Sequence, residues 1–357
     1  MNKDTYWMRR ALAISQRGLG HVNPNPMVGA IVVDKDGPKI AQGFHAKYGM
    51  AHAEARALEY AGKRAQGATL YVTLEPCSHH GKTPPCAQTV IDAGIQKVVI
   101  GSLDPNPKVS SVAMLQAQGI EVVTGILAKD IARFNRGFFA RVQGRSYVLA
   151  KVALSRDGYM GHKTQRLSIS GPQVGRHTMK LRALVDGILV GRRTWQNDDP
   201  SLNVRGPYAS YQPAAILLDP QLEIGKSAKV FTRQGRKVVL IYDPERAKPS
   251  SWMLELGVCC LPVAPKDKGF APKDILAALR AQGIYSILLE GGGQTLASFS
   301  RQHCIDDWVI YHSPDRLKDH YPEDQLVSMP EMPFSPDLQS VIRCGRDWVW
   351  TTLHCRG

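Results

Sequence analysis

His52-Ala53-Glu54 and, downstream, the run Glu75-Pro76-Cys77-Ser78-His79-His80-Gly81-Lys82-Thr83-Pro84-Pro85-Cys86 decide how this chain is read. Three metal-ligating side chains and a carboxylate fall within 35 residues. A catalytic zinc takes three protein ligands and keeps its fourth position for water. It also works beside a group that moves protons to and from that water. His52, Cys77 and Cys86 fit the ligand set. Glu54, two positions from His52, fits the proton carrier, able to take a proton from the water and return it to a departing amine. A structural zinc would want a fourth Cys or His, for which His45, His79 and His80 are the candidates.

Working outward from these residues, apolar and β-branched runs alternate with helical periodicity. Residues 4–17 read as an opening helix, ended by Gly18 and Gly20. Asn23-Pro24-Asn25-Pro26 is a rigid turn before strands at Val28–Val33 and Lys39–Phe44. Ala51–Ala65 is expected to be a helix with His52 and Glu54 in its first turn. Ala68–Leu74 is expected to be a strand with Glu75-Pro76-Cys77 at its C-terminal end, where ligands sit in open α/β sheets. A helix from Cys86 to Ala93, a strand at Val98–Gly101, a helix at Val112–Gln118 and a strand at Glu121–Thr124 complete a layered α/β domain. We place its boundary near Gly144-Arg145-Ser146, giving domains 1–145 and 146–357. The second series has expected strands at Tyr147–Leu154, Gly187–Val190, Ala214–Leu218, Lys237–Ile241 and Ser286–Glu290. Its expected helices are Arg176–Ala183, Asp274–Ala281 and Thr295–Arg301. Late strands at Asp307–Tyr311 and Trp348–Leu353 are expected to be antiparallel.

The 357 residues are enough for two cores. The opening Met1-Asn2-Lys3-Asp4 lacks the apolar core of a signal peptide, and no run is apolar and long enough to span a bilayer. The expectation is a cytoplasmic protein with no membrane partner. The seven cysteines agree, since Cys259, Cys260, Cys304, Cys344 and Cys355 show no metal-like spacing and read as free thiols. A formal charge of +14 invites a nucleic-acid reading, but the excess is spread evenly. Residues 1–146 carry 18 Lys and Arg against 10 Asp and Glu, and the remainder 27 against 21. With no basic run, a phosphorylated small substrate explains the bias as well as a polynucleotide does, as does solubility alone, and no nucleic-acid partner is expected.

His-x-Glu followed by Pro-Cys and a second Cys is the arrangement of zinc nucleobase deaminases, although here eight residues separate the cysteines instead of two. The chain resembles the bifunctional riboflavin-biosynthesis deaminase–reductase family. The matching stretches are Asn23–Gly29, Gly43-Phe44-His45, His52-Ala53-Glu54, Thr73 through Cys86, and Asp104-Pro105-Asn106-Pro107. In the second half they are Lys151 through Gly158, Leu189–Arg205 and Glu290-Gly291-Gly292-Gly293. The resemblance implies a cytidine-deaminase-like three-layer domain followed by a dihydrofolate-reductase-like domain. It implies zinc-dependent deamination of 2,5-diamino-6-(5-phosphoribosylamino)pyrimidin-4-one. NADPH would then reduce the ribosyl side chain to ribityl, giving 5-amino-6-(5-phosphoribitylamino)uracil. The partner is thus a phosphorylated pyrimidine, and a homo-oligomer, dimer or tetramer, is expected.

The same resemblance implies site residues. Glu54 is the catalytic carboxylate and His52, Cys77 and Cys86 hold zinc. Asn25, His45, His79, Lys82, Asp104 and Asn106 contact the deaminase substrate. Lys151, Arg182, Leu202, Arg205 and Glu290 contact the reductase substrate, with Arg182 and Arg205 at its phosphate. Leu154, Leu167, Thr194, Asp198, Gly291, Gly292 and Gly293 contact NADPH, the glycines permitting close backbone approach to a pyrophosphate at a helix N-terminus. Some positions depart from the family. Leu167-Ser168-Ile169-Ser170 stands where a Trp-Ile-Thr-Ser-like run is usual, with Gln165 near a usual substrate serine. Pro314-Asp315-Arg316-Leu317-Lys318 stands where a Pro-Lys-Leu-Leu-Gly-like run is usual. The alternatives are a deaminase with a weakened or lost reductase, and a tRNA or nucleoside zinc deaminase. The second would show a Cys-x-x-Cys pair and a basic groove.

Overall fold

A computed structural model of the protein describes residues 2–35, 37–78, 85–233, 235–266, 269–330 and 341–352. The chain divides into two compact units after Gln143. The first contains α1 (Lys3–Ser15), β1 (Gly29–Val33), β2 (Lys39–Phe44), α2 (Ala53–Ala61), β3 (Thr69–Leu74), α3 (Cys86–Asp92), β4 (Lys97–Ser102), α4 (Ser111–Ala117), β5 (Glu121–Thr124), α5 (Ala128–Phe134) and α6 (Arg136–Val142). Its sheet runs β2-β1-β3-β4-β5, with β1 antiparallel to both neighbours and β3, β4 and β5 parallel.

Both faces of this sheet are covered, which is why β1 is an unbroken apolar run. The pleat sends Ala30, Val32, Leu70, Val72, Val98 and Ile100 to one side, against α2, α3 and α4. It sends Ile31, Val33, Tyr71 and Val99 to the other, against Met8 and Ala11 of α1 and Ile131 of α5. The result is the expected three-layer domain.

Glycine sets the closest helix contact. A Cβ on Gly43 of β2 would lie 2.3 Å from the Ala53 carbonyl oxygen and 2.7 Å from the Ala57 nitrogen. The first turn of α2 therefore rests on bare strand backbone.

The second unit contains β6 (Tyr147–Leu154), β7 (Tyr159–His162), α7 (Pro172–Ala183), β8 (Gly187–Val190), α8 (Arg192–Asp198), β9 (Ala214–Leu218), β10 (Val238–Tyr242), α9 (Ser251–Glu255), β11 (Cys259–Pro262) and α10 (Pro272–Ala281). It continues with β12 (Ser286–Glu290), α11 (Gly293–Arg301), β13 (Asp307–His312), β14 (Leu326–Ser328), β15 (Val341–Cys344) and β16 (Asp347–Thr351). The main sheet runs β11-β10-β9-β8-β12-β6-β13-β16-β15, and β7 pairs with β14 in a separate ribbon. Ile275 and Leu279 of α10 and Leu296 and Phe299 of α11 pack on one sheet face. Met253 of α9 packs on the other. Arg182 of α7 reaches Glu290 on that same face.

Two expectations need correction. The strand expected at Asp307–Tyr311 is not wholly antiparallel. As β13 it runs parallel to β6, and only β16 on its other side is antiparallel to it. Helix α11 lies between β12 and β13, and such a crossover returns the chain in the same direction. His52 is the N-cap of α2 in extended conformation, not part of its first turn. The expected helix there also tightens into a 3-10 turn after Ala61.

An acid anchors the start of the ribbon. The Asp157 carboxylate accepts from the backbone N–H groups of Leu317 and Lys318. Burial pushes this carboxyl up, but the Ser155 hydroxyl and those N–H groups outweigh it and bring it to about 2.

Two outcomes are expected. Gly43→Ala should lower unfolding free energy by about 2 kcal/mol, because backbone on both sides leaves little room to relax. Urea titration checks it. Asp157 is depressed on folding, so its stabilisation is present above the unfolded value near pH 4 and lost as pH falls through about 2. Asp157→Asn should flatten the pH dependence of the unfolding midpoint in that window and leave its slope near neutrality unchanged.

Candidate active sites

The first unit brings its site together at the C-terminal end of β3. His52 caps α2 and Cys86 opens α3. Cys77 lies just beyond β3 and accepts from the Cys86 backbone N–H at 3.3 Å. His52 Nδ1 is 3.2 Å from Cys86 Sγ and 3.6 Å from Cys77 Sγ. All three ligand atoms lie within 4.8 Å of one another, the one such group among the described residues. The hydrogen bond with Cys86, joined by that from His52, brings the Cys77 thiol down to about 4, while the shared proton pushes Cys86 up. Two cysteine sulfurs and an imidazole are donors zinc prefers, so the trio fits that metal.

His52 and Cys77 open onto a cavity of about 370 Å³. Glu54 lines it although its side chain is almost wholly buried. Burial pushes its carboxyl up, with the His52 ring pulling the other way, so it is poised to carry a proton. Asn25, His45, Asp104 and Asn106, all expected from the sequence, line the same cavity. Burial lowers the His45 imidazole, which stays neutral. Its Nδ1 faces the Ala51 carbonyl at 3.3 Å and its Nε2 faces the Asn25 amide nitrogen at 3.2 Å. A neutral ring that donates from Nδ1 must accept at Nε2, so the Asn25 amide nitrogen is turned toward His45 and its oxygen away. Asn135 holds the same loop by bonds in both directions with the Met27 backbone.

Glu75 was missed by motif reading and positions the far wall. One carboxylate oxygen accepts from the Ser111 hydroxyl and backbone N–H and from Val112 N–H at the start of α4. The other accepts from Asp104 N–H. Tyr48, Met50 and, from α6, Phe138 and Val142 also line the cavity. Their signal was weak because apolar residues outside a polar motif read as core. His79 and Lys82 lie outside the described residues.

In the second unit a cavity of about 670 Å³ lies over the β12–α11 turn. Leu167, Thr194, Asp198, Gly291, Gly292 and Gly293 line it, as expected, and so do Gln165, Arg193 and Arg301. Leu154 does not, since it packs in the core beneath. Gly291 and Gly292 take φ of 80° and 81°, a region that favours glycine. A Cβ on Gly292 would stand 3.2 Å from Thr194 Oγ1 and 3.4 Å from Thr295 Oγ1. The turn is thus a bare cradle at the N-terminus of a nine-residue helix, which fits a cofactor pyrophosphate.

The remaining expected residues gather on the α7 side of the sheet. Arg182 donates from Nε and Nη2 to both oxygens of Glu290, at 2.6 and 2.7 Å, and from Nη1 to the Asn203 carbonyl at 2.8 Å. This fork fixes Glu290 and uses donors the sequence reading had directed to a phosphate. Lys151 lies opposite Glu290 in the β6–β12 register. Leu202, buried at φ 45°, offers its carbonyl to Arg236. Arg205 is exposed.

Comparison with known proteins covers both units. The RibD C-terminal domain matches residues 146–317, and the cytidine and deoxycytidylate deaminase zinc-binding region matches residues 1–102. The riboflavin biosynthesis protein RibD of Aquifex aeolicus is 39% identical over 315 residues, 87% of each chain. The chain belongs to the RibD family. Its Escherichia coli relative is 34% identical and covers 88% of this chain and 89% of its own. The solved RibD of Acinetobacter baumannii superposes with a TM-score of 0.85 at 33% identity over 98% of both chains. As a RibD family member the protein is a bifunctional enzyme of riboflavin biosynthesis, a zinc-dependent deaminase joined to an NADPH-dependent reductase. The reading as a deaminase with a lost reductase is set aside. Among the described residues no helix is long and apolar enough to cross a membrane.

Gly292→Ala should weaken NADPH binding at least about tenfold, through the positive φ and the crowded Thr194. Fluorescence titration of NADPH checks it, with ammonia release unchanged.

Proposed function

We propose that the first unit removes the 2-amino group of 2,5-diamino-6-(5-phosphoribosylamino)pyrimidin-4-one as ammonia. The second unit then reduces the ribosyl group of the product to ribityl. A Thermotoga maritima structure, 31% identical with a TM-score of 0.81, bears the name diaminohydroxyphosphoribosylaminopyrimidine deaminase/5-amino-6-(5-phosphoribosylamino)uracil reductase. The observation that carries the reading is Glu54, a buried carboxyl on the wall of the cavity that His52 and Cys77 also line, with Cys86 buried beside them.

His52, Cys77 and Cys86 would hold zinc, which when bound supplies the Lewis acidity that makes water nucleophilic at neutral pH. Glu54 takes a proton from that water and delivers it to the leaving amine, so its raised proton affinity suits both halves of the transfer. Asn25, held by His45, offers its amide oxygen to the pyrimidine edge. Asp104 and Asn106 face the ribose side of the same cavity, with His79 and Lys82 assigned to the phosphate end by resemblance.

In the second unit Gly291, Gly292 and Gly293, beside Thr194, would hold NADPH, which when bound supplies a hydride. A ribosylamine accepts hydride at C1′ only once its ring oxygen has been protonated and the ring has opened to an imine. Lys151 is our choice for that proton. Burial lowers its ammonium, against the pull of Glu290, so it gives the proton up more readily. Glu290, locked by Arg182, stays ionised beside it. Arg205 and the Leu202 loop are assigned to the substrate side, and Leu167 and Asp198 to the cofactor side.

We also infer a homo-oligomer, dimer or tetramer, the usual state of such enzymes, in a reducing cytoplasm consistent with six free cysteines among the described residues.

Glu54→Gln should lower ammonia release by a factor of about 1,000 while zinc content stays unchanged. NADPH oxidation with the deaminated compound supplied directly should continue. Undiminished ammonia release from a zinc-loaded variant would overturn the assignment of Glu54.

A further inference from the structure

The sheet pleat gathers a second set of groups around Lys151. Glu290 pairs with Lys151 across β12 and β6, and Tyr311 of β13 pairs with Ala153, two residues along β6. Residues two apart on a strand share a face, so Lys151, Glu290 and Tyr311 all point to the side covered by α7. The Lys151 ammonium lies 5.7 Å from the centre of the Tyr311 ring, within cation–π range. That ring is wholly buried. Its hydroxyl lies 2.8 Å from His177 Nδ1 of α7, and the two rings meet edge to face at 5.8 Å.

We propose that Tyr311 and His177 are a positioning pair for the Lys151 ammonium in the reductase. His177 fixes the phenol, and the phenol face fixes the ammonium. This rests on the assignment of Lys151 to the ribosyl substrate made above. The Tyr311 hydroxyl is held on the α7 side by His177 Nδ1 and by a hydrogen bond with Thr178. Burial lowers the His177 imidazole, with Lys180 adding to the effect, so the ring stays neutral and keeps a nitrogen lone pair for the phenol proton. The aromatic face then supplies attraction without a second carboxylate, leaving Lys151 charged yet able to release its proton. The titratable groups around the pair are Glu290 from β12, Arg182 and Lys180 from α7, and Cys344 from β15. Of these only Glu290 is an anion facing Lys151.

The test uses the full chain, with deaminated substrate supplied directly and ammonia release as an internal control. Lys151→Met addresses the underlying assignment alone, and reduction that survives it removes Lys151 from the reaction whatever the pair does. Given that loss, Tyr311→Leu should lower the reduction kcat about tenfold, the scale of a desolvated cation–π contact. NADPH Kd should stay within twofold. With the ring gone the ammonium is less favoured, so the alkaline limb of the kcat profile should move to lower pH. Tyr311→Phe and His177→Ala are gentler and keep the test alive if the leucine variant fails to fold. Each should cost a few-fold, the double variant should cost no more than either, and His177→Asn, which restores an acceptor, should recover most of the rate. An unchanged kcat and pH profile in Tyr311→Leu would overturn the proposal. So would losses in Tyr311→Phe and His177→Ala that simply multiply.

Discussion

The first active site depends on a contact that involves no functional group. Gly43 presents bare backbone to the first turn of α2, at a spacing no side chain would permit. That turn carries His52 at its cap and Glu54 one residue inside the helix. The placement of ligand and proton carrier relative to the sheet is therefore set by main chain against main chain. Cys77 and Cys86 arrive from the other direction, through the end of β3 and the start of α3. The Ala87 N–H bond to the Cys77 carbonyl ties those two ends together.

The second unit solves a different problem with similar means. Its parallel strands deliver Lys151, Glu290 and the glycine turn to the C-terminal side of the sheet, where open α/β folds place their ligands. A helix N-terminus stripped of side chains faces the larger cavity, and Lys151 lies between the Glu290 carboxylate and the Tyr311 ring. The Arg182–Glu290 fork is worth little as net stability, because both ions leave water. Its value is geometric, since two parallel bonds fix the carboxylate plane beside Lys151.

Much of this was legible in the residues. The strands Tyr147–Leu154, Gly187–Val190, Ala214–Leu218 and Ser286–Glu290 were read with the bounds they have, because fully buried parallel strands are short unbroken apolar runs between turns. Elements such as β7, β11 and α8 were not read, since Tyr159–His162 and Cys259–Pro262 lack a β-branched apolar run and α8 is short and polar. The direction of β13 escaped because pairing partners distant in sequence leave no local mark. In the first site, the family resemblance pointed to Asn25, His45, Asp104 and Asn106, which line one cavity. Glu75, Phe138 and His177 act through burial and distant partners, which one-dimensional spacing does not encode.

The ribbon of β7 and β14 contributes Met160, Gly161, Val327 and Ser328 to the wall of the cofactor cavity. It is two strands wide, and such a ribbon is marginal on its own. Polar ties hold it, among them Tyr159 to Glu323 at 2.6 Å and His162 to Gln325 at 3.0 Å, together with a small apolar cluster of Tyr159, Ile169, Leu317 and Leu326, while the sheet beneath has a far larger apolar core. The cofactor cavity is therefore bounded on two sides by different constructions, a narrow two-stranded ribbon and a nine-stranded sheet.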